Sequence, residues 1–215
     1  MKNNVIRRGG LQTKQGFLFE LSGGHPAIDF VNTIDMRPTC NSKELIPAFR
    51  DFCAWAEQAG ILTREQHLTL IKNAKKQPSQ AESARRGAVR MRECLFQIFS
   101  CVSDKKDVPA QVLQEWNQYV PRMIRHYELV STRDGLMWKQ QSSPIDFESI
   151  LWPIIHTAVG LLTGDQSTRI RKCASDKCDW IFLDTSKRGN RRWCDMTVCG
   201  NRAKAQRFYS RKKAG

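Results

Sequence analysis

The sequence predicts a mainly α-helical N-terminal domain with a small β-hairpin, followed by a small C-terminal α+β module. Three observations support this. Between residues 44 and 162, several stretches place apolar residues three and four positions apart, the pattern of helices that bury one face. Within that region ELVST and LMWKQ flank Arg133-Asp134-Gly135, two alternating segments around a short loop ending in Gly, which predicts a hairpin. From about residue 166 the character changes to short β-prone pieces, RIRKC, WIFLD and RRWC, set between cysteines. The 215 residues thus divide into an arm (1–16), a helical domain (17–165) and a module (166–215) too short to bury a sizeable core of its own.

In chain order, the first sixteen residues lack apolar periodicity and read as a flexible arm. GFLFEL (16–21) reads as a strand broken by Gly23-Gly24. Pro26 suits the first turn of a helix, where its missing N–H costs nothing, so PAIDFVNTI starts helically. Residues 44–59 place Leu45, Phe49, Phe52 and Ala56 on one face and stop at Gly60. Thr63 then acts as N-cap of the next helix, which Pro78 ends. A long helix over 79–103 carries Ala88, Met91, Leu95, Ile98 and Val102 on one face. Another over 109–127 carries Val112, Trp116, Tyr119 and Met123, with Pro121 as a kink point. After the hairpin a last helix spans about Asp146 to Leu162, and Gly164 with DQST marks the boundary.

Apolar residues make up 40% and charged residues 26% of the chain, as in soluble globular proteins. No apolar stretch approaches the roughly 18 residues of a membrane span, and no apolar run follows the N-terminal positive charges as in a secretory signal. No membrane association and a cytoplasmic location are expected. In a reducing compartment eight cysteines are better read as metal ligands than as disulfides. The net charge of +14 is uneven: residues 166–215 hold fourteen Lys/Arg against four Asp, a net of +10. Such a local excess points to a phosphate-bearing partner.

Cys173 and Cys178 form C-x4-C, and Cys194 and Cys199 form a second C-x4-C after fifteen intervening residues. Each short turn can aim two sulfurs at one point, and two turns supply the closed tetrahedral set that Zn²⁺ prefers. One structural zinc is expected, leaving no open position for catalysis. The remaining cysteines, Cys40, Cys53, Cys94 and Cys101, lack ligand spacing.

The run WIFLDTSKRGNRRWCDMTVCGNRAKAQRFYSRKK, with Cys199-Gly200-Asn201-Arg202 as its signature, resembles the CGNR zinc finger. Upstream, LSGGHPAIDFVNTID resembles the start of the ABATE domain, which accompanies this finger in bacterial proteins described as stress-induced transcription regulators. The resemblance implies a mainly helical N-terminal domain and a treble-clef-like zinc module that binds DNA, with the four cysteines as ligands.

Beyond Cys199, GNRAKAQRFYSRKK has good helix formers and no Pro, so a basic helix should start at the second cysteine turn. Asn201, Ala205, Phe208 and Tyr209 fall on a stripe expected to pack on Trp193 or Phe182. The candidate DNA contacts are Asn201, Arg202, Lys204, Gln206, Arg207, Arg211 and Lys212 on this helix, with Lys187, Arg188, Arg191 and Arg192 in the loop between the cysteine pairs. The expected function is transcription regulation through DNA. The alternative is an adaptor whose basic finger docks on an acidic protein or on RNA.

In the N-terminal domain His25, Asp29 and Asn32 surround a helix start and form a candidate pocket for a small-molecule ligand. Local capping explains the same residues and is the favoured reading. There is no Gly-rich phosphate loop, nucleophile elbow or HExxH, so no enzyme activity is expected. A homodimer through the helical domain is a further expectation, since one finger limits specificity.

Overall fold

The computed structural model describes residues 9–14, 16–141 and 145–214, with the side chains of residues 211, 213 and 214 left out. The chain opens on a hairpin, β1 (Gly10–Thr13) antiparallel to β2 (Gly16–Phe19) with Gly10 opposite Phe19. Residues 10–13, expected within a flexible arm, are therefore a strand. Gln58 fastens the hairpin: its Oε1 accepts from Phe19 N at 2.9 Å and its Nε2 donates to Phe17 O at 2.8 Å. Residues 1–8 of the expected arm lie outside the described residues.

Helix α1 (Pro26–Val31) starts on its proline. A two-residue pairing of β3 (Ile34–Asp35) with β4 (Lys43–Glu44) follows. Helix α2 (Phe49–Gln58) begins five residues later than the periodicity suggests. Glu44 is held in β4, and Pro47 disfavours helical geometry in the residue before it. Helix α3 (Arg64–Lys76) has the expected Thr63 cap, in which Thr63 Oγ1 accepts from Gln66 N and Gln66 Oε1 accepts from Thr63 N. Helix α4 (Pro78–Asp104) is the long central helix.

The helix expected over 109–127 is two helices, α5 (Ala110–Trp116) and α6 (Val120–Ile124). Pro121 has no N–H for the carbonyl four residues back and its ring crowds that carbonyl, so the chain turns at 117–119 instead of kinking. Strands β5 (Tyr127–Thr132) and β6 (Gly135–Gln140) form the expected hairpin, with Leu129 opposite Trp138. Helix α7 (Leu151–Thr163) starts later than Asp146, whose carboxylate accepts from Glu148 N and Ser149 N and so holds a separate turn.

Helices α1, α2, α4 and α7 enclose the core. Phe30, Phe52 and Trp55 lie within 6.1 Å of one another by ring centroid, beside Leu95 and Phe99 of α4 and Ile154 and Ile155 of α7, all buried. Each such side chain contributes roughly 1.5–3 kcal/mol of transfer free energy. One ion cluster is set into this core. Arg92, 1% exposed, grips both Glu44 oxygens at 2.7 Å and bonds Thr33 Oγ1 at 3.0 Å. Burial alone would raise the Glu44 carboxyl, but Arg92 holds it below its ordinary value.

A 3₁₀ turn (Asp165–Arg169) leads to β7 (Ile170–Lys172), which pairs antiparallel with β8 (Ile181–Leu183). RRWC, expected as a third β-prone piece, is not a strand. Ile170, Ile181 and Leu183 are buried in the main core, while Trp180 and Phe182 are buried against the cysteines. Strand β8 is thus shared between two cores, and the C-terminal module is built onto the helical domain instead of hanging from it. A π-helical turn (Met196–Gly200) and helix α8 (Asn201–Ala214) complete the chain. No helix among the described residues is long and apolar enough to cross a membrane.

Candidate zinc centre and nucleic-acid interface

The four sulfurs of Cys173, Cys178, Cys194 and Cys199 lie within 4.8 Å of one another, and all four residues are buried. Cys178 Sγ to Cys194 Sγ is 3.6 Å and Cys194 Sγ to Cys199 Sγ is 3.7 Å. A tetrahedron with Zn–S bonds of about 2.3 Å has edges of about 3.8 Å. The cage therefore fits one zinc ion with its coordination filled, a structural site.

Four thiols this close cannot all ionise unaided. The Cys173 thiol is pushed far down by the hydrogen bond from Cys178, while Cys194 is pushed far up by its hydrogen bond to Cys173. Cys199 is likewise lowered and Cys178 raised, so the cluster divides its protons unevenly, and a divalent cation displaces those that remain.

Local geometry builds each half of the cage. At the first pair Cys178 N donates to Ser175 O, and Asp179, at φ +59°, turns the chain back into β8. Cys173 N donates to Trp180 O at 2.8 Å, tying the ligand turn to the strand. At the second pair Asp195 Oδ1 accepts from Val198 N at 3.0 Å and also from Thr197 N, capping the π turn that carries Cys199. Gly200 lets Met196 and Trp193 approach: a Cβ there would stand 2.9 Å from Met196 Sδ. Asn201 donates from Nδ2 to Thr197 O at 3.0 Å, joining the turn to α8.

The basic loop between the pairs is pinned at its base by Asp184, which is fully buried. Its carboxylate accepts from Ser186 N, Ser186 Oγ and Arg191 N at 3.0, 2.6 and 2.9 Å. Burial alone would raise this carboxyl, but those hydrogen bonds hold it below its ordinary value. Arg169 bonds the Asp184 and Ser186 carbonyls from outside, and Gly189 turns the tip at φ +60°. Neither Asp184 nor Arg169 was among the residues expected to matter; the Asp-Thr-Ser run is a local cue for such a turn.

Lys187, Arg188 and Arg192 of the expected contacts are exposed on this loop, and Lys204, Gln206, Arg207 and Lys212 on α8; Arg202 is half-buried. The side chain of Arg211 lies outside the described residues. Arg191 is half-buried and differs from its neighbours: its Nε donates to Trp193 O at 2.8 Å, its Nη2 donates to Cys194 O, and its guanidinium lies 4.6 Å over the Phe182 ring, so it braces the cage. The expected packing stripe of α8 is a correction. Phe208 is 65% and Tyr209 63% exposed, packing edge to face on each other, because Arg191 already covers Phe182. Trp193 links loop and helix: Arg192 lies 5.3 Å over its ring, and it lines one shallow groove with Arg202 and Gln206.

The residues of the candidate ligand pocket in the N-terminal domain each make structural contacts. His25 Nδ1 accepts from Ala27 N as the cap of α1, and Asp29 Oδ1 accepts from Gly23 N at 2.7 Å. Asn32 donates to Ile181 O at 2.8 Å and accepts from Ile181 N at 3.0 Å, clamping α1 to β8. Trp180 Nε1 donates to Ile34 O and Leu183 N donates to Gly23 O, so the LSGGHPAIDFVNTID motif is the seat of the zinc module. Burial raises the Asp29 carboxyl to about 7.

Two family models match. Residues 169–212 match the CGNR zinc finger, and residues 24–165 match the ABATE model, described as "Putative stress-induced transcription regulator". No curated protein matches the chain. Since the second match alone spans more than half of the residues, the chain belongs to the ABATE family and carries a CGNR zinc finger.

Proposed function

We propose that this regulator binds DNA through its zinc module, with α8 and the 187–192 loop as the contact surfaces. The observation that carries the reading is that both basic segments are fixed to one cage: α8 by the π turn that holds Cys199, the loop by Asp184 and by the Arg191 brace. Arg192 of the loop lies over Trp193, and Arg202 and Gln206 of α8 line a groove with the same ring. In this reading phosphate contacts from Lys187, Arg188, Arg192, Lys204, Arg207 and Lys212 supply affinity, and Arg202, Gln206 and the side-chain carbonyl oxygen of Asn201, near the start of the helix, read base edges. The chain acts in the cytoplasm and carries out no catalysis. Two chains paired through the helical domain double the footprint, which light scattering tests directly.

The experiment is selection of genomic DNA fragments by the zinc-loaded protein, repeated with Cys194→Ser/Cys199→Ser. The reading expects one zinc per chain and enrichment of particular fragments, both lost in the variant. Full zinc with no DNA retained even at low salt overturns it in favour of docking on an acidic protein.

A further inference from the structure

A second site lies in the helical domain, away from the cage. Helix α6, the β5–β6 hairpin and the C-terminal half of α7 enclose a groove of about 600 Å³, within the range of small-ligand sites. Its floor is apolar: Met123 and Leu161 are buried, and Val120 and Val159 are half-buried. Gly160 helps to open it. This glycine sits inside α7, where Ala would be favoured by about 1 kcal/mol, and a Cβ built on it meets nothing within 4 Å.

Thr157 in the lining spends its hydroxyl on Ile154 O, but two other polar groups there keep their atoms available. His156 stacks on Tyr127 at 4.6 Å, yet neither the imidazole nor the Tyr127 hydroxyl hydrogen-bonds to another described residue. His25 accepts a backbone N–H at Nδ1, so its neutral ring carries the remaining proton on Nε2. Burial lowers both histidines. In a chain of net charge +14 the described lining contains no Lys or Arg, and its one charged side chain is Asp165, exposed at the rim.

We propose that this groove binds an apolar organic cation, a compound with an aromatic or alkyl body and a protonated amine. The body covers the Met123–Leu161 floor. The ammonium is met by acceptors at His156, Tyr127 and Asp165 and by the ring faces of Tyr127 and Trp138. An anion finds no cation there and faces a carboxylate. Asp165 and Gln166 belong to the turn that leads into β7 and Cys173, so an occupant touches the segment that carries the first zinc ligand. An effector role on DNA binding rests on the reading proposed above; ligand binding itself does not.

The test uses the zinc-loaded full chain, without DNA, and three probes that share a naphthyl group on a butyl chain and end in an amine, an alcohol or a carboxylate. Calorimetry should rank amine over alcohol by about three- to fivefold, the size of one exposed charge contact, with the carboxylate weakest. Gly160→Trp should weaken the amine about tenfold or more by filling the groove, and Asp165→Asn should remove most of the amine-over-alcohol preference. Should Gly160→Trp fail to fold, His156→Leu replaces it, with a loss confined to the amine. A carboxylate that binds tightest, no binding by any probe, or binding unchanged in these variants overturns the proposal. DNA affinity measured with and without the amine then reports the effector role separately.

Discussion

Replacing Asn32 with Ala tests whether the helical domain holds the zinc module in place. The Asn32 amide satisfies both the N–H and the C=O of Ile181, a residue that is fully buried in strand β8. Alanine leaves two buried backbone groups without partners, each costing about 1–3 kcal/mol. A total loss of roughly 2–6 kcal/mol follows, against a typical domain stability of about 5–15 kcal/mol. The effect should reach the metal, because Trp180, next to Ile181, accepts from the Cys173 amide through its carbonyl. The assay is denaturant unfolding with zinc in excess, paired with the rate of zinc transfer to a chromogenic chelator. Lower stability and faster zinc release are expected together. A variant within about 0.5 kcal/mol of wild type, with unchanged zinc release, refutes the clamp.

Arg191→Ala should accelerate zinc loss, because the guanidinium bonds the Cys194 carbonyl, whereas Arg188→Ala, on an exposed loop position, should leave zinc and stability alone; chelator kinetics on both variants separates the two roles. Asp29 titrates at about 7 in the folded chain against an ordinary 3.8, so the folded state keeps a proton that the unfolded state releases. The Asp29 contribution is fully present below about pH 4, declines by at most about 4 kcal/mol as pH rises to about 7, then levels off, against the opposite contributions of Glu44 and Asp184, which are lost as pH falls; the difference in unfolding midpoints between wild type and Asp29→Asn, measured between about pH 5 and 8, should follow that decline. Gly23→Ala would place a Cβ 2.6 Å from Ile28 Cγ2 and 2.8 Å from Asp29 Oδ1, in a packed site, and should cost about 1–3 kcal/mol by thermal unfolding. Gly200→Ala meets the end of the Met196 side chain, itself 50% exposed, and Trp193 Cδ1 at 3.3 Å, and should cost about 1 kcal/mol, less than Gly23→Ala, in the same measurement.

The cysteine cage was legible because ligand chemistry fixes residue type and spacing together, and Cys173, Cys178, Cys194 and Cys199 satisfy both. Helix α4 was legible from its long apolar stripe, and α3 from the Thr63 cap and Pro78 that mark its ends. Local chemistry decided the misplaced boundaries: Pro47 and Glu44 delayed α2, Pro121 divided α5 from α6, and the Asp146 turn delayed α7. What periodicity could not show was the sharing of β8. WIFL reads as a buried strand whichever core it serves, and only the fold reveals that Asn32, about 150 positions away, supplies its hydrogen bonds. For the same reason Arg191 could not be told from Arg188 or Arg192 by composition. All three are cations in one loop, but only Arg191 has its guanidinium on the Trp193 and Cys194 carbonyls.

The most direct test of DNA recognition by the zinc module is the salt dependence of affinity for a selected duplex, measured for wild type and for the Lys187→Ala/Arg188→Ala/Arg192→Ala variant. Six exposed cations on phosphates predict a slope of log K against log salt of about −5, reduced by about 3 in the variant with zinc content unchanged. A wild-type slope near zero, or a slope that the three substitutions leave unaltered, contradicts the account.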